Sequence, residues 1–286
     1  KMQSQKNNNL IKLDEDLKTK EIKIFGLYDP EDYSLDINMW LNSDGDVLKN
    51  VLTKLDKMNL SEDATEIMNI AMLTNAHSPM KNISEKDFLK LRSDWLIKNS
   101  DLDLIEEYLI KNQIINYHPK LTKYLVDKYL SKANIEKACE IFEKNLKPIN
   151  DEYLSKFNIY CLINLGKKDE AQVILDLKKE LGFNDKYFEK KIDYLLGYTT
   201  EPELAISEDS ILDFHLAHRT NPNFNFEPKK NTDTQIWKYL SASNLLYNIE
   251  EIDIVEEEKI SLIEQATHEK NYSEKDLFSL YKRFQF

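Results

Sequence analysis

The stretch INLGKKDEAQVILDLKKELG (163–182) decides the fold reading. It is an apolar-periodic run broken once by a glycine and a charged turn, after which the periodicity resumes. Sliding it back by 33 residues puts Ala171 on Ala138, Ile174 on Ile141, Leu175 on Phe142, Leu162 on Tyr129 and Ile163 on Leu130. A second slide of 33 reaches Ile105, Tyr108, Leu109, Leu96 and Ile97. Further upstream, Phe88, Leu121 and Leu154 share a column, as do Leu91, Tyr124 and Phe157. Apolar positions meet apolar positions while identities are few, which is how a structural repeat shows itself when only packing is constrained.

Helix-start signals keep the same register. Ser84 followed by Asp87 is a capping-box pattern. His118–Pro119 places proline where a helix tolerates it, in the first turn. Asn150 is the expected cap of the third copy. NSDLD, KANIE and LGKKDE then read as turns inside successive pairs of helices, A and B. A fourth A helix fits 185–196, and TTEPEL interrupts its partner. One helix pair cannot bury its own apolar faces, so copies must stack, giving a continuous core and a concave side.

This repeat, over about 83–198, resembles the tetratricopeptide (TPR) family. The small residue early in helix B is matched by Ala138 and Ala171, whereas the family's Trp and Gly–Tyr positions are not reproduced and Ile105 replaces the small residue in the first copy. The resemblance implies an all-α fold: an α-solenoid of stacked antiparallel helix pairs with helical caps. The division expected is a polar tail at 1–20, capping helices within 21–82, repeats over 83–200, and C-terminal helices over 201–286 reached through a 219–233 linker.

Composition agrees with that class. Five glycines and seven prolines in 286 residues are too few for an all-β fold, which needs turn residues every few positions. A net charge of -12 repels a phosphate backbone, so nucleic acid is excluded as the expected partner. No run approaches the roughly 20 apolar residues of a membrane span. Cys139 and Cys161 sit in apolar-periodic helices without zinc or redox spacing and read as small buried side chains.

The flanks LYDPEDYSLDINMW and LFSLYKRFQF resemble an uncharacterised group of exported alphaproteobacterial helical-repeat proteins. That resemblance implies a signal peptide or lipoprotein signal before Lys1 and a periplasmic or cell-envelope location. A true start at Met2 would make the cytoplasm the default.

Motifs for chemistry are few. NSDGD misaligns with a calcium loop, since Trp40 and Val51 would take ligand positions. His215 and His218 are three apart on one helix near Asp213, but no second histidine cluster accompanies them, so ordinary surface or packing roles are expected and no metal or cofactor is assigned. EIDIVEEEK (251–259) reads as a solvated face. GxSxG, P-loop and GxGxxG motifs do not occur.

The function expected is therefore a non-enzymatic protein- or peptide-binding scaffold. Its rival is an enzyme, or the accessory lobe of a cell-wall enzyme, with a site between the solenoid and the C-terminal helices. The candidate binding columns are Lys90, Lys123 and Lys156, and one turn later Asp94, Asp127 and Tyr160. Both avoid the apolar positions, so they are expected on the outer, groove-lining face of the A helices, with the lysines receiving carboxylates of an extended partner.

Overall fold

The structure is a computed structural model that describes residues 24–143, 145, 147–246 and 252–284. The expected tail at 1–20 lies outside the described residues. Thirteen α-helices run in chain order through the described residues, with two isolated β-bridges and no strand. The chain divides into two compact units, 1–100 and 101–286. The division falls between the two helices of the first expected repeat pair.

The first unit carries α1 (Gly45–Leu55), α2 (Glu62–Leu73) and α3 (Glu85–Asn99). Each opens on a side-chain cap, from Asp44, Ser61 and Ser84, which satisfies one of the orphan N–H groups of its first turn. Ser84 is capped in the expected way, accepting from Asp87 N at 3.1 Å while its hydroxyl donates to the Asp87 carboxylate at 2.7 Å. α1 and α2 both pack on α3. The extended entry 24–30 runs beside the end of α2, with Leu27 N donating to Leu73 O at 2.6 Å. Gly26 allows that approach, because a Cβ there would stand 2.7 Å from the same carbonyl. Arg92 is buried and its Nη1 donates to Phe25 O at 2.7 Å, tying the entry segment to α3.

The second unit begins with α4 (Leu102–Asn112), α5 (Pro119–Ser131), α6 (Ile135–Glu143), α7 (Glu152–Asn164), α8 (Lys168–Glu180) and α9 (Lys186–Leu196). Pro119 occupies the first turn of α5, as its spacing predicts. Sequential helices pack as partners, α5 with α6 and α7 with α8. Helices of like position also touch: α4 with α6, α5 with α7, and α7 with α9. Ala138 and Ala171 are fully buried, on α6 and α8. The cap of α7 is Asp151, whose carboxylate accepts from Leu154 N at 2.9 Å, and not the expected Asn150; Asn150 instead donates its backbone N–H to Asn116 Oδ1.

Cys139 and Cys161 form a disulfide between α6 and α7, correcting the reading of two unpaired buried cysteines. Each cysteine faces the neighbouring helix across the pair-to-pair seam, so helix packing brings together two residues 22 apart that no sequence spacing marks.

After α9 the chain runs without helix or strand over 198–210 and enters α10 (Ile211–Thr220), α11 (Thr234–Ala242), α12 (Glu257–His268) and α13 (Glu274–Arg283). α10 packs on α9 and on α5, and α11 packs on α5 and α10, so α5 touches helices from both ends of the unit. The segment expected as a linker is not a loose tether. Phe224 and Phe226 set their rings edge-on to Phe214 of α10, at 5.5 and 4.9 Å. The last two helices close a small core with Trp237, built on Ile252, Ile263, Ala266, Tyr272 and Leu280.

Candidate functional site

The polar side chains of the second unit gather where α10 lies against α5, α7 and α9. Asp213 and His215 alternate with Phe214 on α10, and all three are buried. A ten-residue helix buried on nearly every face must satisfy its polar groups inside the protein. Three groupings result.

The first is an ion triad. Lys156 of α7 reaches Asp185 Oδ2 at 2.9 Å and Asp213 Oδ1 at 3.3 Å, with its side chain only 10% exposed. Burial alone would lower the Lys156 pKa, but the two carboxylates outweigh it and hold the ammonium above its ordinary value. The second joins Asp127, Tyr153 and Lys123. The Tyr153 hydroxyl donates to the Asp127 carboxylate, and Lys123 Nζ stands 4.3 Å from the Tyr153 ring centroid. Burial pushes Asp127 up to about 6, the tyrosine bond opposing it. A pocket of about 170 Å³ opens beside Asp127, with Lys123, Glu208, Asp209 and Asp233 also on its wall.

The third grouping is a chain of tyrosines and histidines. The Tyr160 hydroxyl lies 2.7 Å from His215 Nε2, and the Tyr239 hydroxyl lies 2.8 Å from His215 Nδ1 and 2.7 Å from His218 Nδ1. Burial, with the positive charge of Arg219 added, takes the His215 pKa down to about 3, so its ring is neutral near pH 7. Burial lowers His218 as well. A second pocket, of about 400 Å³, has His218, Arg219, Tyr194, Asn221, Phe224 and Leu245 on its wall.

The six candidate residues of the sequence reading therefore part company. Lys90 is exposed and Asp94 half-buried, both on α3 of the first unit. Lys123 is exposed on α5, while Asp127, Lys156 and Tyr160 are buried. The expectation that both columns face outward is corrected for these three, because α10 and α11 pack on α5, and α10 with the segment before it covers that side of α7 and α9. The A-helix side receives a stretch of the chain itself. Tyr187 of α9 donates to Asp213 O at 3.0 Å and accepts from Ser207 N at 3.3 Å, and Lys190 pairs with Glu203 at 2.7 Å. Lys191, fully buried, donates to the Glu203 carbonyl.

Among these residues, the sequence singled out Asp213, His215 and His218 through their spacing on one helix. It gave no sign of Tyr239 or Tyr153, which lie tens of residues from their partners and match no motif. Among the described residues, no group of three or more His, Cys, Asp or Glu side chains is placed to hold a metal ion. No helix among them is long and apolar enough to cross a membrane. Comparison of the chain with protein families, curated proteins and solved structures finds no match.

Proposed function

We propose that this chain is a non-enzymatic protein- or peptide-binding scaffold, built on a TPR-like stack of helix pairs and working in the periplasm or cell envelope. Three features support the stack: the 33-residue register, the buried alanines at matching positions of α6 and α8, and the packing of like-placed helices on one another. Stacks of this kind present long surfaces to partners.

The observation that carries the scaffold reading is where the reactive side chains lie. Asp127, Lys156 and His215 are buried against partners in their own chain. An enzyme site between the stack and the C-terminal helices would bring histidines and carboxylates together around open space. The 400 Å³ pocket has His218 and Arg219 on its wall and no carboxylate. The 170 Å³ pocket has carboxylates and no histidine. The Cys139–Cys161 disulfide supports the compartment, since such bonds persist where the surroundings are oxidising.

The test is cross-linking in the source cells, followed by mass spectrometry and titration of the purified partner. The scaffold reading expects saturable binding with cross-links on the outer faces of α5 to α8. Turnover of a substrate by the purified chain, lost on replacing His218, would overturn it. For the compartment, protein denatured straight from its source without reductant should show no free thiol; two free thiols would remove that argument.

A further inference from the structure

The hydrogen-bond chain through His215 has a fixed direction. A buried hydroxyl must place its one proton on an acceptor, and that sets where the chain begins. Tyr160 is buried, and the acceptor in reach of its own O–H is His215 Nε2 at 2.7 Å. A neutral imidazole that accepts at Nε2 carries its proton on Nδ1. His215 Nδ1–H therefore donates to the Tyr239 oxygen at 2.8 Å. The Tyr239 oxygen accepts that bond, and its one proton goes to His218 Nδ1 at 2.7 Å. His218 is then left with its proton on Nε2.

The chain ends on a donor, His218 Nε2–H, and His218 and Arg219 both stand on the wall of the 400 Å³ pocket. Among the described residues no carboxylate forms an ion pair with Arg219, and no acceptor lies within bonding distance of His218 Nε2, although the whole chain carries a net charge of -12. The rest of the wall includes the Phe224 ring, Pro222 and Leu245, with the Tyr194 hydroxyl and the Asn221 amide between them. Arg219 is exposed, so its charge faces solvent at the pocket mouth. A guanidinium and an imidazole N–H beside an aromatic and aliphatic wall are complementary to an anion carrying an apolar body.

We propose that this pocket binds a carboxylate attached to an apolar or aromatic group, with Arg219 as its counter-ion and His218 Nε2–H as its second donor. A guanidinium matches a planar carboxylate through two parallel bonds, which a lone ammonium cannot do. The same chemistry is offered by a free small organic acid and by the C-terminus of a peptide ending in an apolar residue. The site does not depend on the scaffold reading.

The test uses the full chain and two pairs of probes: benzoate against benzamide, and a short peptide ending in phenylalanine with a free or an amidated C-terminus. ¹⁵N-detected NMR of the imidazoles gives the first readout. Free His218 should show the Nε2–H tautomer, and its resonance should move on adding benzoate. Benzamide and the amidated peptide should leave it in place. Arg219→Gln should weaken carboxylate binding at least tenfold while leaving the melting temperature without ligand unchanged, because the side chain is exposed. Binding of benzoate alone assigns the site to a free acid, and binding of the free-terminus peptide alone assigns it to a polypeptide end; either supports the carboxylate site. An Nδ1–H tautomer at His218 would overturn the bond direction whether or not any variant folds. Equal affinity for benzoate and benzamide, or no response to any carboxylate up to about 10 mM, would overturn the site.

Discussion

Replacing Lys156 by glutamate separates the structure from a surface reading of the same residue. As one of a row of solvated lysines, Lys156 would tolerate charge reversal with a melting temperature within a degree or two of the parent. The structure places it between Asp185 and Asp213, at 2.9 and 3.3 Å, where its side chain and that of Asp213 are 10% and 9% exposed. At an effective dielectric near 20, a unit pair about 3.3 Å apart attracts by roughly 5 kcal/mol before desolvation is subtracted. Desolvation cancels much of this, so the pair itself contributes little net stability. Removing one partner is different, because the carboxylates stay buried without their counter-charge, at a cost of about 3–5 kcal/mol. A new glutamate adds repulsion to that loss. In a unit of this size each kcal/mol moves the melting point by roughly 2–4 °C, so Lys156→Glu should lower it by at least about 6 °C. Lys123→Gln, on the exposed lysine of α5, should lose only about 1 kcal/mol, mainly its cation–π contact with Tyr153. The assay is paired thermal and urea melts of both variants. Equal, small shifts for the two would refute the buried triad. Partial recovery in Lys156→Met/Asp213→Leu, which removes charges from both sides, would confirm that the loss comes from stranded carboxylates.

Reduction of the Cys139–Cys161 bond, which closes a loop of about 22 residues, should cost about 3 kcal/mol by loop entropy; melts with and without reductant that superimpose would contradict it. Ala171→Leu puts three extra carbons into a fully buried site and should cost about 1–3 kcal/mol in a urea melt, whereas an unchanged midpoint would count against close packing there. For pH, His215 has its folded pKa pushed from 6.5 to about 3, so its contribution is fully present above pH 6.5 and is lost as pH falls toward 3. Asp127, raised to about 6, acts in the opposite sense, its contribution being present below pH 3.8 and lost as pH rises through 6. At pH 5 the two amount to losses and gains of roughly 2 and 1 kcal/mol, taking 1.36 kcal/mol per unit. His215→Gln should therefore become relatively more stable than the parent as pH falls from 6.5 to 5, and parallel pH–stability curves would show that His215 does not titrate on unfolding.

The sequence by itself determined that the chain is helical and where several of its helices begin. Apolar periodicity marked the faces that pack, and the serine and proline signals at Ser84 and Pro119 mark where helices begin, because caps act within one turn of chain. The one misplaced cap, Asn150 for Asp151, lay between two adjacent residues that can both accept from the backbone. What only the tertiary structure decided is which polar residues of those helices are covered. Lys123 and Lys156 lie 33 residues apart in one sequence column, yet one is exposed and the other buried, because α10 brings Asp213 to Lys156 and His215 to Tyr160. A repeat register describes contacts between neighbouring copies, and contains nothing about a non-repeating segment that folds back from 50 residues later. The disulfide is hidden for the same reason. Cys139 and Cys161 occupy different positions in their helices, and their approach depends on how one pair is rotated against the next, which side-chain packing along the whole seam sets.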